Sequence, residues 1–324
     1  MLRSRRLRLT ENLRKFRREN HLHIDDFVYP LFIVPGEGIK TEIPSLKDQY
    51  HFSVDMLADE IKELTELGLK YVMLFGLPET KDEIGSSGYS DDGTTQNAIR
   101  EIKKTNPDMV VITDVCMCEY TSHGHCGILD YDGNVNNDIT LEYLAKIAVS
   151  HARAGADIVC PSDMMDGRVA AIREALDKSG YVNIPILAHS SKFASSYYGP
   201  FREACDCAPA QGDRKSYQLD YHNGREALVE GEMDVAEGAD ILMVKPALAY
   251  LDVVKNYHDN FNLPIAVYNV SGEYQMLVNA VDTGIMAEDV IYESLIAMKR
   301  AGANIIVTYF AKYAAKKLNS SQWS

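Results

Sequence analysis

The sequence has no apolar run long enough to cross a membrane. Its longest, Phe27 to Pro35, contains a proline and falls far short of the roughly 18 residues that a spanning helix needs. Basic charge is in short supply: 33 Lys and Arg face 47 Asp and Glu, a net charge of −14, which argues against nonspecific nucleic-acid binding. Cysteine is sparse, six in 324 residues, too few for a disulfide scaffold. The clustering of those six points instead to metal or redox chemistry in a reducing compartment. No h-region follows the first residues, which argues against secretion. No G-x-G-x-x-G follows the first β-rich run, and GSSGYSDDGTT (Gly85 to Thr95) lacks the lysine of a P-loop, so it reads as a surface loop. What remains, 46% hydrophobic and 25% charged residues, is the composition of a globular, cytoplasmic enzyme.

The first twenty residues run against the general acidity. They hold eight basic side chains (Arg3, Arg5, Arg6, Arg8, Arg14, Lys15, Arg17 and Arg18) against Glu11 and Glu19, leaving the remainder with 25 basic and 45 acidic groups. Four readings compete: a transit peptide, a nucleic-acid arm, an arm laid on a neighbouring subunit, or a solvated tail. The acidic body supplies a complementary surface for the third, and Leu7, Leu9, Leu13 and Phe16 offer apolar contacts. The expected division is an N-terminal arm over residues 1–25 and a catalytic domain over 26–324.

Eight β-rich runs recur about 40 residues apart: Phe27–Val34, Tyr71–Gly76, Val110–Val115, Asp157–Pro161, Ile184–His189, Ile241–Lys245, Ile265–Val270 and Asn304–Tyr309. Between them lie helical patterns such as Leu57, Ile61, Leu64 and Leu67, or Leu144, Ile147, Ala148 and His151. Gly68, Gly155, Gly238 and Gly302 each stand where a helix ends in a left-handed cap before a strand. Eight such units predict an α/β fold, a single (β/α)8 TIM barrel; a doubly wound sheet is the alternative. The interval between the fifth and sixth runs is 57 residues, which predicts a lid, Ser190 to Asp220, inserted after the fifth strand. Cys116 to Asp138 forms a second long segment after the third strand. Both belong to the C-terminal face, where this fold builds active sites.

Two constellations on that face carry chemistry. Cys116, Cys118 and Cys126 supply three soft thiolates within eleven residues, enough to hold zinc with one position open; His123 or His125 as a fourth ligand would close it. Lys192 and Lys245 stand at the ends of the fifth and sixth strands, where burial lowers the pKa of an amine and prepares it to form a Schiff base. Arg202 and Arg214 on the lid suit a carboxylate, Ser271 and Tyr309 add hydroxyl donors, and Asp114 can orient or deprotonate a substrate. Cys160 reads as a core thiol, and Cys205 and Cys207 as a lid pair with no third ligand nearby. A single-lysine aldolase and a noncatalytic metal-binding protein are the rival readings.

VYPLFIVPG, DVCMCEYTSHGHCG, PSDMMDGRV, HSSKFASSYYGPFREA, GDRKSYQLD, EGADILMVKPALAYLD, VYNVSGEY and AGANIIVTYF together resemble the porphobilinogen synthase (5-aminolaevulinate dehydratase) family over nearly the whole chain. The resemblance implies condensation of two 5-aminolaevulinate molecules to porphobilinogen with loss of two waters. It implies Lys192 and Lys245 as the two Schiff-base lysines, and Arg202, Arg214, Gln218, Ser271 and Tyr309 as substrate binders. It further implies catalytic zinc on Cys116, Cys118 and Cys126, allosteric magnesium at Glu230, and a homo-octamer joined through the arms. The lid sequence CDCAP departs from the usual pattern, and its two cysteines suggest an oxidisable lid.

Overall fold

The structure, a computed structural model, describes residues 1–320, 322 and 323. Eight parallel strands build the barrel. They are β1 (Phe27–Ile33) and, after a hairpin of β2 (Lys40–Ile43) and β3 (Leu46–Phe52), β4 (Tyr71–Gly76), β5 (Val110–Val115), β6 (Ile158–Pro161), β7 (Leu187–Lys192), β8 (Ile241–Lys245), β9 (Ile265–Asn269) and β10 (Ile305–Thr308). The bonded order is β6-β5-β4-β1-β10-β9-β8-β7, and a parallel bridge between Val159 and Ile186 joins the two ends, so the barrel is all but closed. Every residue of β1 is buried, as expected of a parallel strand covered on both faces.

The helices of the body are α2 (Leu57–Glu66), α3 (Thr94–Thr105), α4 (Asn137–Ala154), α5 (Arg168–Lys178), α6 (Gly199–Ala204), α7 (Gly224–Glu237), α8 (Leu251–Asn260), α9 (Ser271–Asp282), α10 (Asp289–Ala301) and α11 (Ala311–Asn319); α1 (Glu11–Phe16) lies in the arm. Their apolar stripes face the strands: α2 buries Leu57, Ile61 and Leu64, and α4 buries Leu144, Ile147, Ala148 and His151. Asn136 caps α4, its side chain accepting the Ile139 N–H at 3.2 Å. The four predicted cap glycines all adopt positive φ, between 83° and 119°. Among the described residues, no helix is long and apolar enough to cross a membrane.

Two elements differ from the sequence reading, both near the site. Strand β7 starts at Leu187 and runs through Ser190 and Ser191 to Lys192, three residues later than its apolar run suggests. Its polar half is buried and pairs with β8 after a register shift beyond Ala188: Ser191 Oγ donates to Tyr257 Oη at 2.8 Å and Lys192 lines a cavity, so polarity there is not the mark of a loop. The β2–β3 hairpin was not predicted, because Lys40, Thr41 and Glu42 are exposed and carry no apolar alternation. It pairs with β1 through Phe32 and His51, and the His51 Nε2 lies 2.7 Å from Ala204 O at the end of α6. The hairpin therefore braces the lid. In the arm, α1 buries no residue, and Leu7, Leu9 and Phe16 are exposed.

Candidate active site

Lys192 and Lys245 are Cα partners across β7 and β8, so the register of the barrel sets them side by side. Both are buried. The Lys245 Nζ sits in an aromatic cage, 4.4 Å from the Tyr268 ring centre, 5.0 Å from Phe201 and 5.4 Å from Tyr198. Burial, and then the charge of Lys192, push its pKa down to about 8. Lys192 differs from the expectation of a lowered pKa. Burial pulls it down as well, but the acidic groups beside it, Cys126, Cys116 and Cys118 with Asp114, outweigh burial and hold it above the ordinary lysine value. Its ammonium donates to the Ser162 carbonyl.

The Cys116, Cys118 and Cys126 thiols are buried, with their sulfurs all within 4.8 Å of one another and those of Cys116 and Cys118 3.4 Å apart. Three soft donors so gathered fit a single zinc, which binds sulfur at about 2.3 Å. No histidine completes the set: the His125 ring nitrogens lie against Tyr217 Oη (3.1 Å) and Gln211 O (2.9 Å), and His123 Nε2 lies 3.3 Å from Glu83 O. A metal held by the three sulfurs would therefore take no histidine as its fourth ligand. Asp114, at the end of β5, shares the cavity with Cys118, Glu119 and both lysines, and burial, then Glu119, raise its carboxyl to about 7.

The lid brings Arg202 and Arg214 over the same cavity. Arg214 is buried and donates to Gly124 O at 2.9 Å and to Cys207 O, while Arg202 reaches Ser195 O at 3.5 Å. The other predicted binders stand further out. Ser271 Oγ accepts the Phe201 N–H at 3.0 Å and donates to Tyr197 O at 3.3 Å, so the lid occupies it. The Tyr309 hydroxyl pairs with that of Tyr268 at 3.0 Å. Gln218 is buried, its amide atoms without a protein partner among the described residues, and it lines a second cavity together with Glu230. Burial raises the Glu230 carboxyl.

Cys160 is a buried core thiol, as expected. Cys207 is not isolated: its sulfur and the Glu119 carboxylate come within 4.8 Å of Cys118. Sequence reasoning also missed Tyr198, Phe201, Tyr268 and Glu273. The aromatic cage is assembled from β9 and the lid, and no local spacing announces it. Glu273 is buried and accepts N–H groups of Leu248 (2.7 Å) and Val270 (3.0 Å), tying the turn after Lys245 to the turn that carries Ser271. Its one local signal is its position three residues after Val270, where a capping glutamate belongs.

A family model for delta-aminolevulinic acid dehydratase matches residues 1–317. The chain is 52% identical over 317 residues to the delta-aminolevulinic acid dehydratase of Bacillus subtilis (strain 168), covering 98% of each chain. It is 53% identical over 321 residues to that of Synechocystis sp. (strain ATCC 27184 / PCC 6803 / Kazusa), again covering 98% of each. A crystal structure of the delta-aminolevulinic acid dehydratase (porphobilinogen synthase) of Toxoplasma gondii ME49, in complex with the reaction product porphobilinogen, superimposes with a TM-score of 0.95 at 44% identity, over 98% of this chain and 91% of that one. With paired lysines and a thiol triplet at one mouth of the barrel, the chain belongs to the delta-aminolevulinic acid dehydratase family, an enzyme family of the hydro-lyases.

Proposed function

We propose a division of labour by which this member of the family condenses two molecules of 5-aminolaevulinate to porphobilinogen with loss of two waters. The observation that carries it is the in-register pairing of Lys192 with Lys245. Two ketone substrates joined to adjacent amines react as one molecule would, which removes much of the entropic barrier. Lys245, with a pKa of about 8, supplies free amine near neutrality. Its nitrogen attacks the ketone carbon, and the oxygen leaves as water to give an imine. Lys192 serves the second substrate.

Arg202 and Arg214 hold the carboxylate of the substrate on Lys192. Ser271 and Tyr309 serve the carboxylate of the other substrate, which would displace the lid backbone from Ser271, and Gln218 offers its amide, unpartnered among the described residues, to substrate from the lid. Asp114 accepts and returns a proton within the closed cavity, and the lid excludes water that would hydrolyse the imines. Zinc bound by Cys116, Cys118 and Cys126 would supply Lewis-acid polarisation of substrate oxygen.

Glu230 would bind an allosteric magnesium largely through waters, since among the described residues no group of three close ligand atoms includes it. The exposed leucines and Phe16 of the arm support self-association through it, in a homo-octamer, and six free thiols suit the cytoplasm. The test is to give the purified full-length protein 5-aminolaevulinate, with and without chelator. A pyrrole should form, disappear on chelation and return with zinc. No pyrrole from zinc-loaded protein would overturn the proposal.

A further inference from the structure

Three cysteines stand outside the chemistry described so far: Cys160 is in the core, and the other two are in the lid. Cys205 and Cys207 flank Asp206, a non-glycine residue held at φ 45°, and both thiols are buried. The turn aims Cys207 at the barrel: its sulfur lies within 4.8 Å of the Cys118 sulfur. Cys118 thus belongs to two clusters, one with Cys116 and Cys126 and one with Glu119 and Cys207.

The approach is fixed from several sides. Arg214 donates to the carbonyls of both Gly124, in the cysteine loop, and Cys207, in the lid, and so staples the two segments. Ala210 N–H donates to His123 O at 3.0 Å, and Lys81 pairs with Asp206 at 2.8 Å. Gly124 has φ 71°, and a Cβ there would overlap Ala208 O, so the contact depends on the glycine. A thiol with no catalytic task has been placed against a metal-binding thiol on a different segment.

We propose that Cys118 and Cys207 form a redox modification site: in the metal-free enzyme a hydroperoxide converts them to a disulfide that locks the lid to the barrel. The proposal rests on the zinc-site reading above only for its consequence, because a disulfide removes one ligand from the triplet. The chemistry balances. The Cys118 sulfur attacks the peroxide oxygen, giving a sulfenic acid and releasing one water (or alcohol). The Cys207 sulfur then attacks the sulfenic sulfur, forms the S–S bond and releases the second water. Two thiols are oxidised by two electrons, which the peroxide takes up. Cys118 lines the substrate cavity, so a small oxidant reaches it whenever the lid opens. Bound zinc engages the same sulfur and slows the reaction.

The test treats chelated full-length protein with hydrogen peroxide, alkylates the remaining thiols and maps disulfide-linked peptides by mass spectrometry. The expected result is a Cys118–Cys207 pair, reversed by dithiothreitol and formed several-fold more slowly with zinc present. Cys205→Ser should keep that pair. Cys207→Ser should lose it, match the wild type in zinc-supported turnover before oxidation, and keep at least threefold more activity after the same peroxide dose. A Cys116–Cys118 or Cys205–Cys207 bond in its place, or equal inactivation of Cys207→Ser, would overturn the proposal. The peptide map reads the bond without reference to turnover, so a failure of the zinc-site reading would show in the metal-dependence of activity and not in the map.

Discussion

Lys192 and Lys245 occupy equivalent places on neighbouring strands, yet their surroundings are opposite in kind. Lys245 lies buried among aromatic rings, and burial, then the charge of Lys192, brings its pKa down to about 8. Lys192 faces the cysteine triplet and Asp114, and these acidic groups outweigh burial and hold its pKa above the ordinary lysine value. The barrel register supplies identical positions, and the loops beyond the strands supply different chemistry. One amine is ready for a ketone as folded, whereas the other must first give up its proton. A metal on the three sulfurs would change the charge beside Lys192 and leave Lys245 among its rings, so metal loading would act on one side of the cavity.

The largest effect expected is from Lys245→Met. Pyrrole formation should fall by roughly 10³-fold or more, because the nucleophile is gone. Borohydride with 5-aminolaevulinate should no longer label that position, while thermal unfolding stays close to wild type. Normal turnover in this variant would end the covalent reading and with it the contrast between the two amines.

Metal removal is the next way to separate them. Chelation, or Cys118→Ser, should lower turnover by about 10²-fold or more, through loss of a ligand from an already minimal set. It should also change borohydride labelling at Lys192 more than at Lys245, since the three cysteines act on Lys192 and are not among the main influences on Lys245. Equal changes at both lysines, measured by peptide mass spectrometry, would mean the three cysteines do not govern Lys192.

This asymmetry marks the limit of what the chain reveals before it is folded. The eight runs, the cap glycines and the CxC with its third cysteine are local patterns, and local patterns survive in a sequence. Ser190 and Ser191 looked like the start of a loop, yet both are buried in β7, where the Ser191 hydroxyl donates to Tyr257 Oη on α8, a partner that no local pattern announces. Tyr198, Phe201 and Tyr268 come together only when the lid folds over β9, and the approach of Cys207 to Cys118 joins segments about ninety residues apart. Charges, cages and cross-lid contacts are properties of closure, so the residue types were visible while their pKa values were not.

The pH dependence sharpens the comparison further. Below a pKa of about 8, each unit of acidification should cut free Lys245 amine, and with it the labelling rate, about tenfold; above it the rate should level. Burial is the main cause of that low value and the charge of Lys192 the second. Lys192→Met removes only the second, so the midpoint of Lys245 labelling should move up by about one pH unit and stay below that of an exposed lysine. An unmoved midpoint would show that the two ammonium groups do not sense each other.

The smallest effect on chemistry is expected from the arm, which touches neither lysine. Residues 1–20 carry eight basic side chains, yet an exposed ion pair contributes at most about 1 kcal/mol, so charge complementarity alone would hold the arm weakly on an acidic neighbour. Apolar contact adds more: burying a leucine or phenylalanine contributes about 1.5–3 kcal/mol. Leu7, Leu9 and Phe16 are exposed and Leu13 is half-buried, so a neighbouring subunit has several such contacts to offer the arm. Deleting residues 1–20 should therefore convert a large assembly into a smaller one, with turnover down only severalfold and both lysines still labelled in the same ratio. Sedimentation and labelling at matched concentration measure the two together. An unchanged mass would reduce the arm to a solvated tail, and a changed labelling ratio would mean that assembly reaches into the cavity and helps to set the difference between the two amines.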